Sequence, residues 1–175
     1  LFANIRKYKV NNLNSKIFIV PNLISETCDS YINRKYYIEN IQAIKIFCVE
    51  NFKEARQFLK LIDKNIIIDN FRWVLLSDAN IEGIVEEAFV HKQNIGIISD
   101  SGYPCIADPG NKIILLAHKK KVAIVPLIGP SAILLALVCS GFNGQNFVFH
   151  GYLPIREVDK IKKIKDIESA CLKTN

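Results

Sequence analysis

The chain has no methionine, one tryptophan and only three histidines among its 175 residues. Its five cysteines, Cys28, Cys48, Cys105, Cys139 and Cys171, are scattered and form no Cys-x-x-Cys pair. Neither a disulfide framework nor a zinc site fits that spacing, because both need sulfur or imidazole ligands in close, recurring clusters. Cys48 and Cys139 lie in apolar runs, where a cysteine reads as a small buried hydrophobe. Also lacking is any run of about eighteen residues free of charged and strongly polar side chains, which argues against a membrane-crossing helix. The opening residues lack the charged, apolar and small-residue succession of a secretion signal, so the expected location is cytoplasmic. With no methionine and with Leu1 first, the expectation is of a processed, partial or unconventionally started product.

What is present is a chain that is 50% hydrophobic. That is enough for one good-sized core, or for one domain and part of another. The formal charge is +6, and residues 1–16 hold Arg6, Lys7, Lys9 and Lys16 with no acid. Such a segment attracts a polyanion. Equally, Lys, Asn and Ile are used heavily throughout, and solvated lysines need no partner; the two readings stay open.

Short apolar runs alternate with segments of helical periodicity, the pattern of repeated βα units around a mainly parallel sheet. Strands are predicted at 17–20, 44–49, 73–76, 95–98, 122–127 and 147–149. Helices are predicted at 27–40, 52–62, 81–89, from 113 to the lysine run, from Pro130 to about 139, and from Arg156 onward. Lys119, Lys120 and Lys121 suit the negative end of a helix dipole, which accounts for them more simply than an RNA contact. Residues 1–16 read as a basic extension, 17–126 as an α/β domain, and 127–175 as the start of a second α/β domain.

The informative stretch runs from Ser99 to Gly110, directly behind the fourth strand: Ser-Asp-Ser-Gly-Tyr-Pro-Cys-Ile-Ala-Asp-Pro-Gly. In open parallel sheets ligands bind at the carboxyl ends of the strands. Connections there are ordinarily a few residues long, so this irregular loop reads as a working one rather than a long turn in which Asp108 merely caps the next helix.

That loop, the block Val125-Pro126-Leu127-Ile128-Gly129-Pro130-Ser131-Ala132 and the block Gly151-Tyr152-Leu153-Pro154 stand in the order and spacing of the tetrapyrrole methylase family. The chain resembles that family over about residues 16–170, and most of all its ribosomal RNA 2′-O-methyltransferase branch. Val49-Glu50-Asn51 with Ala55-Arg56 is similar to the family's Glu-Asp/Asn-x-Arg helix start.

The resemblance implies two α/β domains and S-adenosylmethionine as cofactor. It places Pro21, Asp100, Ser101, Gly102, Ile106, Gly129, Ser131, Ala132 and Leu153 around the cofactor. It implies small-subunit ribosomal RNA as partner. The cysteine spacing supports no metal and the absence of a long apolar run no membrane, and a chain shorter than its relatives is expected to need a partner copy, as in a homodimer, a separately encoded half, or weak cofactor binding. Glu50 and Asp108 are candidates to assist a ribose hydroxyl, with Glu50 equally suited to facing a helix dipole; no catalytic base is assigned.

The chain departs from the family in three places. Leu76 to Asn80 holds no histidine, Asn22 to Glu26 replaces a small turn after the first-strand proline, and full-length relatives continue beyond Asn175. Two other readings therefore stand beside an active RNA methylase: a non-catalytic remnant or cofactor-binding module, and a methylase of a small tetrapyrrole-like acceptor.

Overall fold

The computed structural model describes residues 15–25 and 32–173. Most of the basic N-terminal segment, including Arg6, Lys7 and Lys9, and the start of the helix predicted from Thr27, lie outside the described residues. The elements are β1 (Lys16–Ile19), α1 (Arg34–Ile41), β2 (Ile46–Val49), α2 (Phe52–Ile62), a 3-10 turn (Ile68–Asn70), β3 (Arg72–Leu75), α3 (Ile81–Val90), β4 (Ile95–Ile98), α4 (Asn111–Lys120), β5 (Ala123–Pro126), α5 (Ala132–Ser140) and α6 (Glu157–Lys173).

The five strands form one all-parallel sheet in the order β3-β2-β4-β1-β5. Successive strand residues point to opposite faces, so the sheet feeds two cores. On one face Phe18, Val20, Phe47, Val49 and Ile98 pack with Tyr37 and Ile41 of α1 and Phe58, Leu59 and Ile62 of α2. On the other, Ile17, Ile46, Cys48, Ile95 and Ile97 pack with Val85 and Phe89 of α3 and Ile113 and Leu116 of α4. Near-continuous apolar strands are the consequence of covering both faces.

Local sequence explains most of the boundaries. Asn51 begins α2 by accepting from Lys53 N at 2.8 Å and Glu54 N at 3.5 Å. Phe47 is paired across the sheet with Gly96, and a Cβ at Gly96 would lie 2.6 Å from the Phe47 ring, so the missing side chain makes room for that ring. The ring in turn stacks on Trp73 with centroids 5.2 Å apart.

Three expectations are corrected. Phe147 to Phe149 forms no strand; the triplet has strand composition, but a strand exists only where a partner takes up its backbone groups. Pro130 does not sit in the first turn of α5, which opens at Ala132 with Ser131 as its cap, Ser131 Oγ accepting from Leu134 N at 3.4 Å. Cys139 is exposed, whereas Cys48 is fully buried and its thiol is pushed up to about 12 by burial.

The chain divides into two compact units, one up to Leu135 and one from Ala136. The second holds most of α5, an irregular segment and α6, whose first turns carry the exposed pairs Arg156–Asp159 at 2.8 Å and Lys160–Glu157 at 3.3 Å. No described helix is long and apolar enough to cross a membrane.

Candidate ligand site at the carboxyl edge

The loop after β1 leads to a helix on one face of the sheet, and the loop after the neighbouring β4 leads to a helix on the other. Diverging loops open a crevice at this switch point, where such sheets take their ligands. The β4–α4 loop fills it. Four of its residues have positive φ: Gly102 at 64°, Cys105 at 71°, Ala107 at 61° and Gly110 at 126°. For Cys105 and Ala107 that conformation costs of order 1–3 kcal/mol each, a strain that persists only where surrounding contacts enforce it.

The first part of the loop, Ser99 to Gly102, is held by the loops on either side. Asn22, buried just behind β1, donates from Nδ2 to Ser99 O and Asp100 O, both at 3.1 Å, while its Oδ1 accepts from Leu23 N at 2.7 Å. The backbones add a double link, Asn22 N to Gly102 O at 2.8 Å and Gly102 N to Leu23 O at 3.3 Å. Ser99 is buried, and its hydroxyl lies 3.2 Å from both the Ser101 and the Gly102 carbonyl oxygens. On the β2 side, the Glu50 carboxylate accepts from Asp100 N at 2.9 Å.

Three tyrosines fix the turn between β5 and α5. Tyr37 Oη lies 3.1 Å from both Pro21 O and Ile128 O; Tyr36 Oη accepts from Ile128 N at 3.3 Å; Tyr103 Oη donates to Leu127 O and accepts from Gly129 N. Gly129 lies so close to the loop after β1 and to α1 that a Cβ there would sit 2.5 Å from Pro21 Cβ and 2.8 Å from Tyr37 Oη. Burial drives the Tyr37 phenol far above its ordinary value, so it stays a neutral hydroxyl.

Two hollows result. One, of about 340 Å³, is lined by Asn22, Ile24, Ser25, Glu54, Asp100 and Ser101 among others. The second, about 670 Å³, is lined by Tyr36, Tyr37, Ile128, Gly129, Pro130, Ser131, Leu134 and Leu135, with Ile32 and Asn33. The first is acidic. Asp100 is held above the usual carboxylate range by loss of hydration and then by the charges of Glu50 and Glu54. Asp108 is also raised, first by loss of hydration, against the lowering effect of the Ser99 hydroxyl. Among the described residues that line it, the second hollow has no charged side chain, and it offers apolar surface from Ile128, Leu134 and Leu135 beside amide and hydroxyl groups.

Of the residues singled out from the sequence, Asp100 and Ser101 line the first hollow, and Gly129 and Ser131 the second. Gly102 stands at their junction, where a Cβ would meet Ile24 Cγ2 at 3.3 Å and Pro130 O at 4.0 Å; Pro21 packs beneath Gly129. Ile106 is 47% exposed and lines neither hollow, and nor does Ala132. Leu153 belongs to the second unit. Asp108 does not cap α4, whose cap is Gly110 without a side-chain bond. Asn22 and Tyr103 drew notice in the sequence only as members of their segments, and Tyr36 and Tyr37 were not singled out; that these four side chains hold the loops together was not read from the sequence, since their partners are too distant in the chain to be seen there.

Fold and crevice together define an α/β protein built to present polar loops at a sheet's carboxyl edge. No family model matches the chain. Proteins named ribosomal RNA small subunit methyltransferase I do: that of Escherichia coli O157:H7 is 28% identical over 162 residues, covering 91% of this chain and 54% of the relative. That of Buchnera aphidicola subsp. Baizongia pistaciae is 30% identical over 156 residues, covering 87% and 50%. That of Vibrio cholerae is 35% identical over 82 residues, covering 45% and 28%. The chain is a homologue of these proteins, as the tetrapyrrole methylase blocks in its sequence imply. It spans about half the length of the curated relatives that it matches along most of its own length.

Proposed function

We propose that the chain supplies the cofactor-binding sheet of an S-adenosylmethionine-dependent methyltransferase that modifies a ribose 2′-hydroxyl of small-subunit ribosomal RNA. The observation that carries this reading is the convergence of three loops, behind β1, β4 and β5, in a chain whose homologues bear that methyltransferase name.

The residues present fit such a cofactor. A sulfonium nucleoside needs an apolar slot for its base, hydrogen-bond partners for its polar ends and negative charge near its cationic groups. The hollow beside Gly129 and Ser131 provides the slot and rim, and its volume of about 670 Å³ is within the range of small-molecule sites. Asp100, Glu54 and the nearby Glu50 provide the negative charge, and Gly102 and Gly129 hold the connecting backbone clear of side chains. When bound, the cofactor supplies a methyl group on an already activated leaving sulfur. What this chain must then do is orient both partners in line and exclude water, which accounts for much of the rate in such a transfer. Asn22, Tyr37 and Tyr103 serve that purpose by holding the loops rigid, and Glu50 braces the Asp100 amide. No base is assigned among these groups.

Calorimetry with S-adenosylmethionine and S-adenosylhomocysteine tests the cofactor, and mapping of ribose methylation on small-subunit ribosomal RNA incubated with the protein tests the acceptor. Saturable binding that Asp100→Ala and Ser131→Ala weaken, together with one methylated ribose, is the expected result. Absence of binding at millimolar cofactor overturns the reading. Because Asp100 and Ser131 line separate hollows, a second reading, a module that binds the cofactor without turnover, is decided by the same pair of measurements: binding with no methylated ribose. Sedimentation of the same samples reads self-association.

A further inference from the structure

In a parallel sheet every strand begins at one edge, and the helices that return to it end there. At this amino edge stand Lys16 at the head of β1, Lys45 just before β2, Arg72 at the head of β3, Lys92 after α3, and Lys119, Lys120 and Lys121 at the end of α4, all exposed. Against these seven cations the edge sets Glu39 in the last turn of α1, and Glu86 and Glu87, which pair with Lys120 at 2.8 Å and Arg72 at 3.3 Å. The turn between α2 and β3 is balanced, Lys60 and Lys64 against Asp63 and Asp69. The helix dipole accounts for Lys119 and Lys120. It does not account for Lys16, Lys45 or Arg72, which stand at strand heads.

The backbone that carries these charges is pinned. Asn94 Oδ1 accepts from Lys16 N at 2.8 Å, Asn94 Nδ2 donates to Ala43 O at 2.8 Å, and Asn94 O accepts from Lys45 N at 3.0 Å. Arg72 N donates to Lys45 O at 3.0 Å. Between these strand heads lies a hollow of about 470 Å³, lined by Lys45, Asn70, Arg72, His91 and Gln93, with Glu87 the one carboxylate among the described residues that line it. Cations flanked by amide and imidazole donors on a fixed frame suit phosphodiester oxygens.

We infer that the amino edge of the sheet is a second contact surface for RNA, which grips backbone phosphates remote from the ribose to be modified. The choice of RNA rests on the function proposed above. Strands of four residues set the two edges about 13 Å apart. A structured RNA spans that distance; a small acceptor held at the carboxyl edge does not.

The test is the salt dependence of binding to a fluorescently labelled small-subunit ribosomal RNA fragment. It compares the full chain with Lys45→Ala/Arg72→Ala and with Lys119→Ala/Lys120→Ala/Lys121→Ala, and measures S-adenosylmethionine affinity in the same samples. The inference expects a log–log salt slope shallower by about two in the double variant and by about three in the triple one, each with at least roughly tenfold weaker RNA binding near 0.1 M salt and with cofactor affinity unchanged. Unchanged slopes and affinities in both variants overturn it. So does a wild-type chain that fails to bind the RNA. If the cofactor does not bind while the RNA slopes still fall, the edge stands and the proposed methyltransferase does not.

Discussion

The phenol of Tyr103 reaches out of the β4–α4 loop to hold the turn after β5, donating to Leu127 O at 2.9 Å and accepting from Gly129 N at 3.1 Å. One hydroxyl thus satisfies a donor and an acceptor 26 and 24 residues away along the chain. Tyr103→Phe keeps the ring and removes both bonds, leaving the backbone of the buried Leu127 short of a partner. The expected loss of stability is about 1–3 kcal/mol, read as a lower urea midpoint at constant m-value. An unchanged midpoint would show that the turn holds its shape without the phenol.

Asn22 allows a sharper comparison, because both of its amide hydrogens and its oxygen are committed. Asn22→Ala removes all three bonds and is expected to cost about 1–3 kcal/mol. Asn22→Asp is expected to cost more at neutral pH, since a carboxylate there faces the Ser99 and Asp100 carbonyls with no proton to offer. Thermal unfolding of both variants ranks them; an aspartate variant as stable as wild type would mean that these contacts do not position the loop.

These two residues show where the sequence was legible and where it was not. Helix α2 was expected at 52–62 and β4 at 95–98, and the structure has both at those bounds. Periodicity over three turns and an unbroken apolar run are local signals, and the long loop behind β4 was equally plain. The insertion of β4 between β1 and β2 was not, because pairing partners leave no mark on a short apolar segment. For the same reason Phe147 to Phe149 passed for a strand. The clamps are invisible for a related reason: Asn22 bonds a residue 77 positions away and Tyr36 one 92 positions away, and nothing in the composition around either residue points to its partner.

Gly129 has no space for a side chain. A Cβ there would stand 2.5 Å from Pro21 Cβ and 2.7 Å from Pro21 Cγ, atoms of a rigid ring that cannot swing away. Gly129→Ala is therefore expected to push the β5–α5 turn off the loop after β1 at a cost of about 1–3 kcal/mol. Gly144→Ala provides the control, since nothing lies within 4 Å of its added carbon. Equal melting temperatures for the two variants would contradict the packing described for Pro21.

Asp100 carries the pH dependence. Its carboxyl is raised above the usual range by loss of hydration and by Glu50 and Glu54, so the folded chain holds the proton more tightly than the unfolded chain does. A group raised in this way contributes stability that is fully present below its unfolded value and is lost as pH rises through the folded one. At neutral pH the ionised Asp100 thus strains the loop that it occupies, and Asp100→Asn relieves the strain while leaving the backbone bonds to Glu50 and Asn22 in place. The side chain is exposed, so solvent screening keeps the gain small, about 1–2 °C in Tm at pH 7. The gain is expected to vanish as the pH falls below the carboxylate range, where wild-type Asp100 is protonated too. If the same substitution weakens S-adenosylmethionine binding while raising Tm, the carboxylate is retained at the expense of stability for the sake of a cationic ligand. A variant that is less stable than wild type at pH 7 would instead mean that Asp100 has a favourable partner that outweighs its repulsion from Glu50 and Glu54.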